Sequence, residues 1–249
     1  MLILLPPSET KRPGGAGVPF DATSLALPTL APVREAVVDA LVALSADAQE
    51  AARVLKLGRT QLGEVAVNAA LREAPTMAAV DRYTGVLYDA LGAASVDSAG
   101  RRWLGRHVMI HSAPFGPVGA LDPIPAYRLG ASVSLPGLAA LRRVWADAVT
   151  AAIADAAPSF VLDLRSEAYV ALGPVATEVP SAYVRVVTES DDGAVRALNH
   201  FNKHAKGALV RRLADERPRI GSRAGLLRWA AGAGIRVVDR GEGELDLFA

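Results

Sequence analysis

The chain has 249 residues, 51% of them hydrophobic, a formal net charge of +1 and no cysteine. That is enough apolar material for a sizeable core, and it excludes disulfides, thiol nucleophiles and thiolate metal sites, which fits a cytoplasmic protein. The near-neutral total hides an uneven distribution: residues 195–240 hold 11 Lys or Arg against 3 Asp or Glu, a local +8, so the remainder carries −7.

The first element is the apolar run Met1 to Leu5, stopped by Pro6-Pro7. It is too short to span a membrane and has no basic segment ahead of it, so it is expected to be a buried strand of the fold rather than an anchor or a secretory signal. Its exit delivers Ser8, Glu9, Thr10, Lys11 and Arg12: two hydroxyls, a carboxylate and two cations at a strand's C-terminal end. A helix follows near 32–45, from the spacing of Val33, Val37, Val38, Leu41 and Leu44 behind Pro32. Residues 47–73 read as short helices broken at Leu57-Gly58, with Lys56 and Arg59 flanking the break. A helix, turn, helix of this kind presents backbone N–H groups and cations to a phosphate, or packs as an ordinary helical hairpin.

Tyr83 and Tyr88 flank Gly85 in a turn running into a short helix. His107 to Ser112 reads as a strand, and a breaker-rich loop then leads to Pro125-Ala126-Tyr127-Arg128, where prolines stiffen the chain ahead of an aromatic and a cation. An amphipathic helix over 138–156 precedes a second apolar strand, 159–164, which ends in Arg165, Ser166, Glu167 and Tyr169. A strand over 182–188, a turn at Asp191-Asp192-Gly193 into residues 195–198, a helix opened by His200 and running to Ala214, a helix over 221–232 and a strand over 235–238 complete the chain, with the acidic end as a final strand candidate. Strands and helices alternate without a regular βα beat, so an α+β or irregular α/β fold is expected rather than a doubly wound one, with α+β first: one domain over 1–249 with a mixed central sheet and surrounding helices.

No metal or cofactor signature stands out. The four histidines form two i, i+4 pairs, 107/111 and 200/204, without an H-E-x-x-H pattern, and neither a P-loop nor a G-x-G-x-x-G turn is present. The basic block points to an anionic partner, nucleic acid first, because clustered cations release counterions from a phosphate backbone. The plain alternative is a solvated helix face or a patch for an acidic protein.

Five blocks in order, Leu4-Leu5-Pro6-Pro7-Ser8-Glu9-Thr10-Lys11, the segment 83–88, Pro125 to Leu129, Asp163 to Tyr169, and Phe201 to Gly207, resemble the YaaA family of peroxide-stress proteins across nearly the whole chain. The resemblance implies a cytoplasmic single-domain protein with a helix-hairpin-helix element, here within 47–73. It also implies a basic cleft for double-stranded DNA, linked to limiting damage from peroxide and iron. Lys56, Arg59, Lys203, Lys206, Arg211 and Arg212 are the expected phosphate contacts. Two positions depart from the commoner pattern: Glu9 stands where lysine precedes the threonine, and Asp163 where asparagine is usual. An enzyme is the alternative expectation. If the strand ends converge, Ser8, Glu9, Thr10, Lys11, Tyr83, Tyr127 and Arg128 bind a nucleobase or nucleotide, and Asp163, Glu167 and Tyr169 assist cleavage of an N-glycosidic bond.

Overall fold

The computed structural model describes residues 1–189, the backbone of 195–197, and 202–249. The N-terminal apolar run is β1 (Leu2–Leu5). Six helices come before the next strand of the same sheet: α1 (Ala31–Leu44), α2 (Ala48–Val54), α3 (Gly63–Ala69), then, after the two-residue β2 (Met77–Ala78), α4 (Ala79–Arg82), α5 (Val86–Leu91) and α6 (Ser98–His107). Next are β3 (Val108–Ser112), β4 (Gly116–Gly119), β5 (Pro123–Ile124), which pairs with β2, and α7 (Leu141–Asp155). The chain finishes with β6 (Val161–Asp163), α8 (Glu167–Val170), β7 (Ser181–Glu189), β8 (Val195–Ala197), α9 (Asn202–Glu216), α10 (Arg223–Gly232), β9 (Val237–Gly241) and β10 (Glu244–Phe248). The turn expected at Asp191-Asp192-Gly193, and His200 and Phe201, lie outside the described residues.

Seven strands form one mixed sheet in the order β4-β3-β1-β6-β7-β10-β9, and β8 pairs with β7 off that path. The mixed sheet is as expected, but the class is α/β rather than α+β. The five inner strands β3, β1, β6, β7 and β10 are mutually parallel, and β4, β9 and β8 add antiparallel pairings. Parallel strands need crossovers. The crossover from β1 to β3 contains six helices instead of one, which is why no βα beat shows in the sequence. Central parallel strands are buried on both faces and read as unbroken apolar runs; all four residues of β1 and all three of β6 are buried.

Numbered along the chain, the five parallel strands lie in the spatial order 2-1-3-4-5. In such a sheet the connections leaving the first and third strands, here β1 and β6, depart in opposite directions and open a crevice at their C-terminal ends, where ligands bind. On one face α6 packs on β1 and β3, α9 on β7, and α6 and α5 on α9. Gly207 makes the last contact feasible: a Cβ there would lie 2.1 Å from the Leu87 carbonyl oxygen. That close approach brings the first turns of α9, with Lys203 and Lys206, to the sheet end.

One apolar cluster runs from Leu2 to Leu247. Three arginines are fully buried, and among the described residues two of them, Arg34 and Arg82, have no carboxylate partner. Arg34 donates to the carbonyls of Ala22, Ala26, Phe115 and Pro117, and Arg82 to those of Arg12, Gly14, Pro75 and Ile124. Buried carbonyls need donors, and these guanidinium groups supply them to the loops they pin. The segment 47–73 is two seven-residue helices, α2 and α3, separated by a left-handed Lys56 (φ 54°) and a single 3-10 turn over Arg59–Gln61.

Candidate functional site: a cationic cleft at the strand switch point

A cleft of about 830 Å³ opens at the C-terminal ends of β1 and β6, where the strand order predicts one. Its walls include Pro6 to Glu9 and Lys11 after β1, Lys56 in the α2–α3 turn, Leu87 of α5, Arg128 to Val133, Ser166 to Tyr169 after β6, Tyr183 of β7, and Asn202, Lys203 and Lys206 of α9.

The turn after β1 is held from below by three tyrosines. Tyr88 donates its hydroxyl to the Pro6 carbonyl (2.8 Å), Tyr83 stacks on Tyr88, and the Tyr83 and Tyr127 hydroxyls meet at 2.8 Å. Lys11 sits on this layer, its Nζ 4.1 Å from the Tyr127 ring centre, and donates to the Ser8 and Glu9 carbonyls at 3.1 Å. Burial pushes the Lys11 ammonium down to about 7. The hydroxyls of Ser8 and Thr10 lie against Gly85, where a Cβ would come within 3.3 Å of Ser8 Oγ and where φ is +92°. Only glycine takes that conformation without strain.

Arg128 is positioned by its backbone. The buried Asn68 of α3 donates Nδ2 to the Arg128 carbonyl (2.9 Å) and accepts the Arg128 N–H on Oδ1 (2.7 Å). With the main chain clamped, the guanidinium reaches the cleft and ion-pairs with Glu9, which also accepts from Gln61 Nε2 at 3.4 Å. The Arg128 bond holds the Glu9 carboxyl below the usual range.

Past β6 the expected catalytic carboxylate has a different job. Asp163 is buried with both oxygens taken by Arg165, at 2.9 Å from Nε and 2.6 Å from Nη2, and it is not among the cleft residues. Arg165, fully buried, also donates to the Gly173 carbonyl and to His111 Nδ1, both through Nη1. Burial and that arginine hold His111 well below its ordinary value, so it is neutral with its proton on Nε2, an atom without a partner among the described residues. Asp163 and Arg165 therefore brace the strand end. The two groups that do face the cleft are the exposed Glu167 and the half-buried Tyr169, whose hydroxyl burial raises to about 12. Across from them Lys206, only 4% exposed, lies 5.6 Å from the Tyr183 ring and 3.5 Å from the Arg165 carbonyl, and burial pushes it down to about 8.

Of the residues singled out in the sequence, Ser8, Glu9, Lys11, Lys56, Arg128, Glu167, Tyr169, Lys203 and Lys206 line one cleft. Tyr83 and Tyr127 lie beneath it as the platform for Lys11, and Thr10 bonds Thr84 beside it. Arg59 is exposed on its 3-10 turn outside the lining. Arg211 and Arg212 are also outside it. Arg211 pairs with Asp215 and donates to Ser95 Oγ, and Arg212 pairs with Glu216. Asn68 and Tyr183 carry no functional signal in the sequence. Nothing local marks a residue whose partner lies 60 positions away, as for Asn68. Among the described residues, no group of three His, Asp or Glu is arranged to hold a metal ion. No helix there is long and apolar enough to cross a membrane.

These features define an α/β protein of the open-sheet kind, with a cationic, aromatic-floored cleft of nucleotide size at its strand switch point. The model for the family described as peroxide stress protein YaaA matches residues 1–230, and the chain belongs to this family. A UPF0246 protein of Corynebacterium efficiens is 45% identical over 243 residues, covering 95% of this chain and 94% of its own. One from Corynebacterium glutamicum is 40% identical over 241 residues, with the same coverage, and one from Streptomyces coelicolor 44% over 217 residues, covering 86% and 82%.

Proposed function

We propose that this protein is a cytoplasmic DNA-binding member of the peroxide stress response, in which duplex DNA is gripped at the cleft and shielded from peroxide and iron damage. The observation that carries the reading is the convergence of Lys11, Lys56, Arg128, Lys203 and Lys206 on one cleft from four separate segments of the chain. Such a concentration of cations meets a phosphodiester backbone without reading base sequence. The α2–α3 turn, with Lys56 and Arg59 beside it, acts as the helix-hairpin-helix that approaches phosphates from the rim. A duplex is too wide to enter a cavity of this volume, so the backbone lies across the mouth and a single nucleotide unit fits inside.

The reading is tested by titrating labelled duplex DNA across a salt series. With Lys56, Lys203 and Lys206 each neutralising one phosphate, log affinity falls with log salt at a slope of about −2 to −3. Salt-independent or absent binding sinks it.

A second reading, an enzyme that cleaves an N-glycosidic bond of a nucleotide, is favoured by one observation. Glu167 and Tyr169 share a nucleotide-sized cleft with a lysine whose ammonium is lowered to about 7. In that case Glu167, not Asp163, is the acid or base. A screen of nucleosides and nucleotides for released base tests it, with Glu167→Gln expected to abolish release.

A further inference from the structure

Arg128 and Glu9 form an ion pair that faces into the cleft, and its two members are built differently. Arg128 is a fixed group: its backbone is clamped on both sides by the buried Asn68, and its side chain is only 17% exposed. Glu9 is 64% exposed at its side chain, and among the described residues its carboxylate meets, beyond Arg128, only the 3.4 Å bond from Gln61. A rigid guanidinium held by a loose carboxylate is an anion site filled by the protein's own side chain. Guanidinium groups bind carboxylate and phosphate in the same fork geometry, so the two anions exchange on one site.

We propose that Arg128 is the anchor for a terminal phosphate, that Glu9 occupies it until such a phosphate arrives, and that the cleft therefore selects a nucleotide unit carrying a phosphomonoester. The charge of the incoming group sets the selectivity. A backbone diester carries one negative charge and is no better than the carboxylate it must displace. A phosphomonoester carries between −1.5 and −2 near pH 7 and offers three acceptor oxygens, enough to take the guanidinium and leave an oxygen for another cation of the cleft. Cavity volume agrees, since about 830 Å³ admits a mononucleotide. The phosphate comes either from a free nucleoside monophosphate or from the 5′ end of a DNA strand. This rests on the nucleic-acid reading of the cleft but makes a claim that reading does not, because binding through backbone diesters alone is indifferent to ends.

The test compares a nucleoside with its 5′-monophosphate by calorimetry, and a duplex with 5′-phosphate ends against the same duplex with 5′-hydroxyl ends by anisotropy. Each is run on the unaltered protein, Glu9→Gln, Arg128→Ala and the double variant. The monophosphate binds and the nucleoside does not. Glu9→Gln tightens monophosphate binding about three- to fivefold, the range set by an exposed ion pair. Arg128→Ala weakens it about 10- to 100-fold, and the double variant matches Arg128→Ala, because Glu9 acts only through that arginine. The preference fades below about pH 6, where the monoester dianion takes up a proton and becomes a monoanion. If only the phosphorylated duplex gains affinity, the source is a DNA end; if only the mononucleotide binds, it is the free nucleotide, and either supports the proposal. Duplex binding that ignores the end group, with no monophosphate binding, overturns the anchor while leaving the backbone reading intact. A Glu9→Gln effect that persists in Arg128→Ala overturns the exchange.

Discussion

Two cationic regions of this molecule hold their charge in opposite ways. The block over 195–240 is dense in sequence, yet six of its arginines are neutralised at the surface. Arg211 and Arg212 pair one turn along α9 with Asp215 and Glu216, Arg223 pairs with Asp239, and Arg217, Arg236 and Arg240 reach Asp97, Glu189 and Asp246. The cleft draws its cations from four separate segments, of which only the one carrying Lys203 and Lys206 belongs to the block, and sets against them two carboxylates, Glu9 and Glu167. Linear charge density is therefore a poor guide to where a phosphate will find a field. The strand crossing order places the field, by bringing the ends of β1 and β6 together.

The contrast sharpens first where charge is buried rather than paired in solvent. Arg165→Met leaves Asp163 buried and uncompensated, and is expected to cost about 3–5 kcal/mol in urea unfolding. Asn68→Ala strips the Arg128 backbone of both its partners and is expected to cost about 1–3 kcal/mol, with weaker phosphate binding because the anchor loosens. At the other end, Arg212→Ala breaks a solvent pair and is expected to change stability by no more than about 1 kcal/mol.

The cleft lysines also predict a pH response that the surface block does not share. Lys11 and Lys206 lose their protons near 7 and 8, while lysine in the unfolded chain keeps its proton to about 10.4. Between about pH 7 and 10 the unfolded state therefore binds more protons, so their contribution to stability rises with pH. DNA affinity moves the other way as the cleft discharges. Melting temperatures and duplex affinities measured from pH 6.5 to 9 check both signs, and Lys11→Met is expected to flatten the first. A melting temperature that falls across this range in the unaltered protein, and falls equally in Lys11→Met, contradicts the assignment.

Much of the framework is readable from the chain. The inner strands β1, β3, β6 and β7 are apolar runs, and α1 and α7 carry helical spacing. The polar groups that directly follow the β1 and β6 runs are recognisable, from that position alone, as strand-end chemistry. What stays hidden is relational. The parallel order cannot be seen because six helices separate β1 from β3. His107 reads as strand but closes α6, since helix and strand meet at that residue without a breaker. Asp163 reads as a catalytic candidate because its counter-ion, Arg165, is also a charged residue at the same strand end, and only the geometry shows that the two satisfy each other.

The central claim is that the cleft, and not the paired surface arginines of the basic block, meets the nucleic acid. Its most direct test is the salt dependence of duplex binding for two double variants side by side, Lys56→Ala/Lys203→Ala and Arg211→Ala/Arg212→Ala. The cleft variant is predicted to lose about two units of the log–log slope while the block variant keeps the slope of the unaltered protein; the reverse pattern would contradict the account.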